Sequence, residues 1–504
     1  MNIVLNILER CGIHASLPQV DDFEKWLVGK LWEKYTDEKM NKIKFFENKI
    51  KSVCKLQVPN GTVGKDYNAQ IELPTELVED AWFEKDIETL GLTLDTFDPE
   101  ESKSAVDDEA VPDNTKVLET KNESLEKDIP VAHPTKLILK IMGKPKVSGD
   151  HTISLRYKHK GWLEGEPISE IPIRIAFNPD PRTLWKTIPT REDIHFYKKD
   201  SDCEYVKVDS KEGTDPRKDI VVASQRGRSH AQEGKPRDDH FVIKHCDESD
   251  WYIIAVADGA GSAKFSRRGS EIACNTVVAH CLEQLRHNEE FESKIRAYNE
   301  AKDDAVAKRN IGNSIYTIVG NGAFKAYSAI KEEAMNNGGR IKDFATTLMF
   351  AICKKFDFGW FVASYWVGDG AMCLYNREKH THKILGVPDE GEFSGQTRFL
   401  TMPEIFKDAK SVMDRLRFSI EEDFTALMLM TDGVSDPMFE TDNNLQSIEK
   451  WDEFWDKLKN GFEEDEIPGV ELTDDNEKSK EQLLRWLDFW SPGNHDDRTM
   501  AILY

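Results

Sequence analysis

The segment "WYIIAVADGAGSA" carries an unbroken apolar run from Trp251 into Asp258 and then into Gly259, Ala260 and Gly261. A buried strand that ends on a carboxylate, followed by residues almost without side chains, lets backbone approach whatever the carboxylate holds. The pattern recurs. "WFVASYWVGDG" ends on Asp369, "TALMLMTDGVSD" carries Asp432 with Asp436 four residues later, and "GNHDDRTMAILY" sets Asp496 and Asp497 before a last apolar run. "GKPRDDHFVI" places Asp238 and Asp239 before another. One aspartate at a strand end is ordinary turn chemistry. Several converging would repel one another and draw protons back on unless divalent cations neutralise them. Oxygen donors without histidine or cysteine select Mg²⁺ or Mn²⁺ over zinc, and two such ions can activate a water and orient a phosphoryl oxygen.

Near these acids lies a local excess of bases, Arg226, Arg228, Lys235, Arg237, Lys264, Arg267 and Arg268, which reads as a place for an anion. Elsewhere the chain is acidic. Its 504 residues hold 92 Asp and Glu against 68 Lys and Arg, a formal charge of -24, which argues against broad electrostatic binding to nucleic acid or an anionic membrane. The eight cysteines show no CxxC pair, no apolar run has spanning length, and the N-terminus lacks a secretion signal. The expectation is a cytoplasmic protein.

The elements that must position the acids come late in the chain. Residues 1–56 have the three-and-four spacing of helix, as in "FEKWLVGKLWEKY". Residues 57–177 have short apolar runs broken by glycine; "VPNGTVGKDY", "LGLTLDTF" and "GKPKVSGDHTISL" resemble bacterial immunoglobulin-like repeats, which implies a small β domain used for contacts. Near 98–132 an acidic, polar stretch reads as a disordered insertion, and the prolines of 178–217 as a linker. Residues 218–504 alternate buried strands with amphipathic helices, an α+β class in which stripes such as Trp451, Phe454, Trp455 and Leu458 serve packing.

The ordered set "RDDHF", "VADGAGSA", "ATTLMFAI", "VGDG", "LMTDGVSD" and "HDDRT" resembles the metal-dependent protein phosphatases of the 2C type, in a bacterial branch. The resemblance implies two antiparallel sheets flanked by helices and a centre of two Mn²⁺ or Mg²⁺ ions, with a third, weaker one. Carried over by residue, Asp258 bridges the ions, the Gly259 carbonyl joins them, Asp432 and Asp496 complete one, and Asp239 with Asp238 orients waters on the other. Asp369 and Asp436 match the third site, and Asp497 stands where the family usually has asparagine. The catalytic set is then Asp258, Asp239, Asp432 and Asp496, and the reaction is hydrolysis of a phosphoserine or phosphothreonine monoester by a metal-bridging hydroxide. The implied partners are phosphorylated proteins and a cognate serine/threonine kinase. Two departures stand out: Ala260 replaces a histidine common in eukaryotic members, and Gly234 falls where a phosphate-binding arginine is usual, leaving Arg226, Arg228, His230 and Arg237 as candidates. The alternatives are a catalytically weak scaffold and a phosphatase of a small metabolite.

Overall fold

The computed structural model describes residues 17–83, 86–97, 136–210, 217–388 and 397–504. The insertion expected near 98–132 lies outside them. The chain divides into two compact units, Met1–Leu184 and Trp185–Tyr504, and its architecture is mixed α+β. No described helix is long and apolar enough to cross a membrane.

In the first unit the helix Leu17–Val53 precedes a four-stranded and a three-stranded sheet. Alternating burial shows how the sequence makes them: Tyr67, Ala69, Ile71 and Leu73 point inward from one sheet, and Ile171, Ile173, Ile175 and Phe177 from the other, into one shared core that also takes Ile50 of the helix. Pairing is antiparallel except where Gly61–Thr62 runs parallel to Phe177–Asn178.

The second unit is built on two antiparallel sheets. One orders the strands His240–Cys246, Trp251–Ala257, Leu348–Phe356, Gly359–Val367 and Leu416–Glu421. The other orders Thr381–Ile384, Ala371–Asn376, Ala426–Met430, Arg498–Leu503, Ile220–Gln225 and Ser201–Val206. The unbroken apolar run of Trp251–Ala257 follows from burial on both faces. Tyr252, Ile254 and Val256 enter the core shared with the second sheet, whereas Trp251, Ile253, Ala255 and Ala257 meet a second core under the helices Ser266–Leu285 and Asn321–Asn336. The aromatic stripe of the helix Ile448–Asn460 is buried as packing.

One boundary needs correction. The segment 178–217, expected as a linker, supplies the edge strand Ser201–Val206, paired from Ser201↔Gln225 to Val206↔Ile220. Cys203, Tyr205 and Val206 pack against the main core. Prolines in the preceding stretch mark irregular backbone, but they say nothing about the partner that fixes it.

Candidate metal centre

Strand register explains how acids far apart in sequence meet. His240 pairs with Ala257, so the residues just outside that pair are Asp239 and Asp258. Met430 pairs with Met500 and Ala371 with Met430, which sets Asp432, the 496–497 pair and Asp369 around one end of the second sheet. Carboxylate oxygens of Asp258, Asp369 and Asp432 lie within 4.8 Å of one another. Glycine permits this crowding: a Cβ at Gly433 would stand 2.0 Å from the Asp497 carbonyl oxygen, and one at Gly259 would stand 2.8 Å from that of Asp238.

Each acid is held and yet left with reactive capacity. Asp239, fully buried, accepts at Oδ2 from the hydroxyls of Thr431 (2.9 Å) and Thr499 (2.7 Å), while its Oδ1 has no hydrogen-bond partner. The Asp258 backbone is pinned by two threonines: its N–H donates to Thr347 Oγ1 at 2.8 Å, and its carbonyl accepts from Thr346 Oγ1 at 2.7 Å. Asp369 Oδ2 accepts from the Thr397 hydroxyl. Asp369 Oδ1 and Asp432 Oδ1 are buried and, like Asp239 Oδ1, unpartnered.

Three desolvated carboxylate oxygens without donors are costly unless a cation meets them. The protonation energetics say the same. Burial and the charges of Asp432, Asp239 and Asp496 push the Asp258 carboxyl well above the usual range. Burial and Asp497 raise Asp239 to about 7, and burial with Asp369 and Asp496 raises Asp432 well above normal. The donor set, all carboxylate, fits a hard divalent cation.

Not every expected ligand joins the group in the same way. Asp369, matched in sequence to an outer site with Asp436, sits with Asp258 and Asp432, whereas Asp436 is exposed; burial and Asp369 raise Asp436 to about 6. Asp496 is exposed at the rim, and its Oδ1 accepts from the Asp497 N–H at 2.8 Å. Asp497 is fully engaged. Its Oδ1 accepts from Gly227 N at 2.6 Å, and its Oδ2 accepts from Asp238 N at 2.6 Å and pairs with His230 Nδ1 at 3.0 Å. Burial opposes its charge, but His230 and those N–H groups outweigh burial and hold its carboxyl below the usual range. Asp497 is therefore a clamp joining three loops. Asp238 is buried, with burial and Asp497 raising it to about 6, and lies 3.7 Å from His230 Nε2.

The expected phosphate-binding residues are committed elsewhere. Arg226, 5 % exposed, donates to Thr190 Oγ1, Lys235 O and Ile188 O and pairs with Asp200 at 3.0 Å. Arg228 donates to the Phe489 and Asp488 carbonyls and pairs with the Asp488 carboxylate. Buried Arg237 donates to Ser224 O, and His230 joins Asp497. Of the other bases in that cluster, Arg267 binds the carbonyls of Phe196 and His195, Arg268 pairs with Glu271 and Glu333, and Lys235 pairs with Glu233. Lys264 is exposed, its ammonium 4.8 Å from the centroid of the Phe265 ring. The apparent anion site is thus largely internal bracing.

Residues not singled out from sequence complete the frame. Thr346, Thr347, Thr431 and Thr499 are buried around the acids. Arg498 donates to the carbonyls of Gly433, Leu487 and Phe489, which ties the Asp432 and Asp496 loops together. Lys198, in the supposed linker, donates to Asp239 O at 3.0 Å, Arg267 O at 2.9 Å and Ser270 Oγ at 3.3 Å. The threonines stood inside the motifs "ATTLMFAI", "LMTDGVSD" and "HDDRT" and so carried a signal, whereas Lys198 carried none.

A sandwich of antiparallel sheets whose strand ends gather aspartates defines a class that the comparisons specify. The model of the family described as protein phosphatase 2C matches residues 226–488, and the chain belongs to that family. No curated protein matches the chain. Among solved structures it is similar to a bacterial serine phosphatase, at 13 % identity over 56 % of this chain and 96 % of the other, with a TM-score of 0.33. It is also similar to the catalytic domain of the serine threonine protein phosphatase PstP in complex with two manganese ions (15 %, 56 % and 96 %, TM-score 0.32). PppA from Pseudomonas aeruginosa is a further match (13 %, 57 % and 97 %, TM-score 0.33).

Proposed function

We propose that Trp185–Tyr504 is a divalent-metal-dependent phosphatase of phosphoserine and phosphothreonine in proteins. The observation that carries this reading is the set of buried, donor-free oxygens on Asp239, Asp369 and Asp432 beside Asp258, inside a family defined by phosphatase chemistry. In this reading Asp258, the Gly259 carbonyl, Asp432 and Asp496 would hold two Mn²⁺ or Mg²⁺ ions, with Asp258 shared between them. Asp239 and Asp238 would orient water, and Asp369 and Asp436 would hold a third ion. Bound there, the ions supply an activated water and neutralise the phosphoryl oxygens.

The chain's own residues supply geometry. Thr431 and Thr499 fix one oxygen of Asp239, so that the other is aimed, and Thr346 and Thr347 fix the peptide of Asp258. No side chain is required as covalent nucleophile, so the rate comes from positioning and charge neutralisation. His230 is tied to Asp497 and braces the site rather than donating a proton to a leaving group. The partners in this reading are phosphorylated proteins and a cognate kinase, in the cytoplasm. The first unit, whose two sheets share one core, is read as an immunoglobulin-like contact domain.

The test compares phosphoserine and phosphothreonine peptides with small phosphoesters, using full-length protein with and without Mn²⁺. Metal-dependent phosphate release from the peptides supports the proposal. Release from small phosphoesters alone favours a metabolite phosphatase, and metal binding without release favours a scaffold.

A further inference from the structure

The backbone carbonyls of Asp238 and Asp239 meet a relay of side chains from outside the aspartate motifs. Lys198 Nζ donates to Asp239 O at 3.0 Å, to Arg267 O at 2.9 Å and to Ser270 Oγ at 3.3 Å. Three acceptors match the three N–H bonds of an ammonium. Ser270, fully buried, has two carbonyls in reach, Asp238 O at 2.5 Å and Arg267 O at 3.0 Å, but a hydroxyl has one proton to give. Lys198 already donates to Arg267 O and to the hydroxyl oxygen, so the Ser270 proton goes to the nearer carbonyl, that of Asp238. One amine thus fixes two consecutive peptides, that of Asp239 directly and that of Asp238 through Ser270.

The relay is itself held in place. Arg267 Nε donates to Phe196 O at 2.8 Å and its Nη2 to His195 O, so the stretch just before Lys198 and the start of the helix Ser266–Leu285 grip each other through both side chains. What the relay sets is the separation of two acids. His240 pairs with Ala257, so Asp239 and Asp258 lie at the ends of adjacent strands. The Asp238 carbonyl also packs against Gly259, where a Cβ would stand 2.8 Å from its oxygen. A shift of the 238–239 peptides therefore moves Asp239 relative to Asp258 and the Gly259 backbone. The remaining acids have their own supports: Thr346 and Thr347 hold the Asp258 peptide, and Arg498 ties the Asp432 and Asp496 loops.

Resting on the phosphatase reading above, we infer that Lys198 is a positioning residue for that reaction. It aims Asp238 and Asp239, the pair read as orienting water on one ion, and leaves the ligands of the other ion to Arg498 and the threonines. Lys198 precedes residues 226–488, which match the family model, so this group comes from outside the matched region. Without the amine, Asp239 O and Arg267 O each lose this donor, and the Ser270 proton is free to turn to Arg267 O. Both peptides then loosen together.

The test uses full-length protein with Lys198→Met, which keeps the stem and removes the donors, with Ser270→Ala, and with the two combined. Mn²⁺ binding is read by titration calorimetry, turnover of p-nitrophenyl phosphate by steady-state kinetics, and folding by thermal unfolding in EDTA. Lys198→Met is expected to weaken one of two Mn²⁺ sites by about 10–100-fold and to lower kcat, with KM and the other site within about twofold. Ser270→Ala is expected to do less. The double variant is expected to match Lys198→Met, because both residues act through one relay. If Lys198→Met does not fold, Ser270→Ala carries the same comparison. Unchanged Mn²⁺ binding in the folded variants, equal weakening of both sites, or additive effects in the double variant overturns the positioning role and leaves the phosphatase reading standing. Selective weakening of one site, in a parent that releases phosphate from no phosphoester, upholds the positioning role and overturns the phosphatase reading instead. A folded parent that binds no Mn²⁺ overturns both.

Discussion

Replacing Asp258 by asparagine should act in opposite directions on the metal-free and the metal-loaded protein. Without metal, Asp258 is a carboxyl whose ionisation is opposed by burial and by Asp432, Asp239 and Asp496. An amide there has neither a charge to be repelled nor a proton that must be taken up on folding, so metal-free Asp258→Asn should melt at or above the metal-free parent. With metal the balance reverses. A site filled to a hundred times its dissociation constant stabilises the folded state by about 2.7 kcal/mol. Unfolding a unit of roughly 320 residues at about 2.1 cal/mol/K per residue changes entropy by ~0.7 kcal/mol/K. Each filled site then raises Tm by about 4 °C, and two raise it by about 8 °C. Because Asp258 is proposed to be shared, Asp258→Asn should lose most of the increment at once. The assay is thermal unfolding by calorimetry, parent and variant, in EDTA and in Mn²⁺. A variant that keeps the full Mn²⁺ shift would refute the shared-ligand reasoning, and one that melts far below the parent in EDTA would refute the repulsion.

Thr431→Val removes one of the two hydroxyls on Asp239 Oδ2 and should lower metal affinity or turnover by about 10–100-fold while leaving the fold intact, as calorimetric Mn²⁺ titration with steady-state assays can check. Without metal, burial and Asp497 raise the folded-state carboxyls of Asp239 to about 7 and Asp238 to about 6, from an ordinary value of 3.8. The folded state therefore holds protons that the unfolded state has released, and urea midpoints should fall as pH rises from about 4 to 7. A midpoint that rises across that window would contradict the assignment. A chain beginning at Trp185 should keep aryl phosphatase activity within a few fold of the full chain. One beginning at Lys211 should be markedly less stable, because it lacks the edge strand Ser201–Val206 and the Lys198 amine on Asp239; equal stability of the two would show that this segment is dispensable.

Asp258, Asp369 and Asp432 were legible because each sits where an apolar strand meets glycine, a pairing of residue types that has few other uses, and the 238–239 and 496–497 pairs because each leads into an apolar strand. The helical stripes and the doubly buried strands were legible for a similar reason: burial leaves its period in the side chains. What sequence could not show is where a donor points. Arg226, Arg228 and Arg237 looked like an anion site by proximity along the chain, yet their guanidiniums turn inward to carbonyls. Lys198 looked like one more charge in a linker, and its role depends on Asp239, Arg267 and Ser270, all distant in sequence. The grouping of Asp369 with Asp258 and Asp432 is likewise a fact of strand register and the Gly368 turn. The resemblance left the role of Asp497 open, because its three hydrogen-bond partners, Gly227, His230 and Asp238, lie far away in sequence and only the folded chain brings them together.

The central claim is that carboxylates gathered at the strand ends form a divalent-metal centre. Equilibrium dialysis of the full-length protein against Mn²⁺, with metal counted per chain by mass spectrometry, tests it most directly. Two tightly held ions in the parent, and none or one in Asp258→Asn, is the expected result. A folded parent that retains no Mn²⁺ at millimolar concentration, or a folded Asp258→Asn that retains as much as the parent, would contradict it.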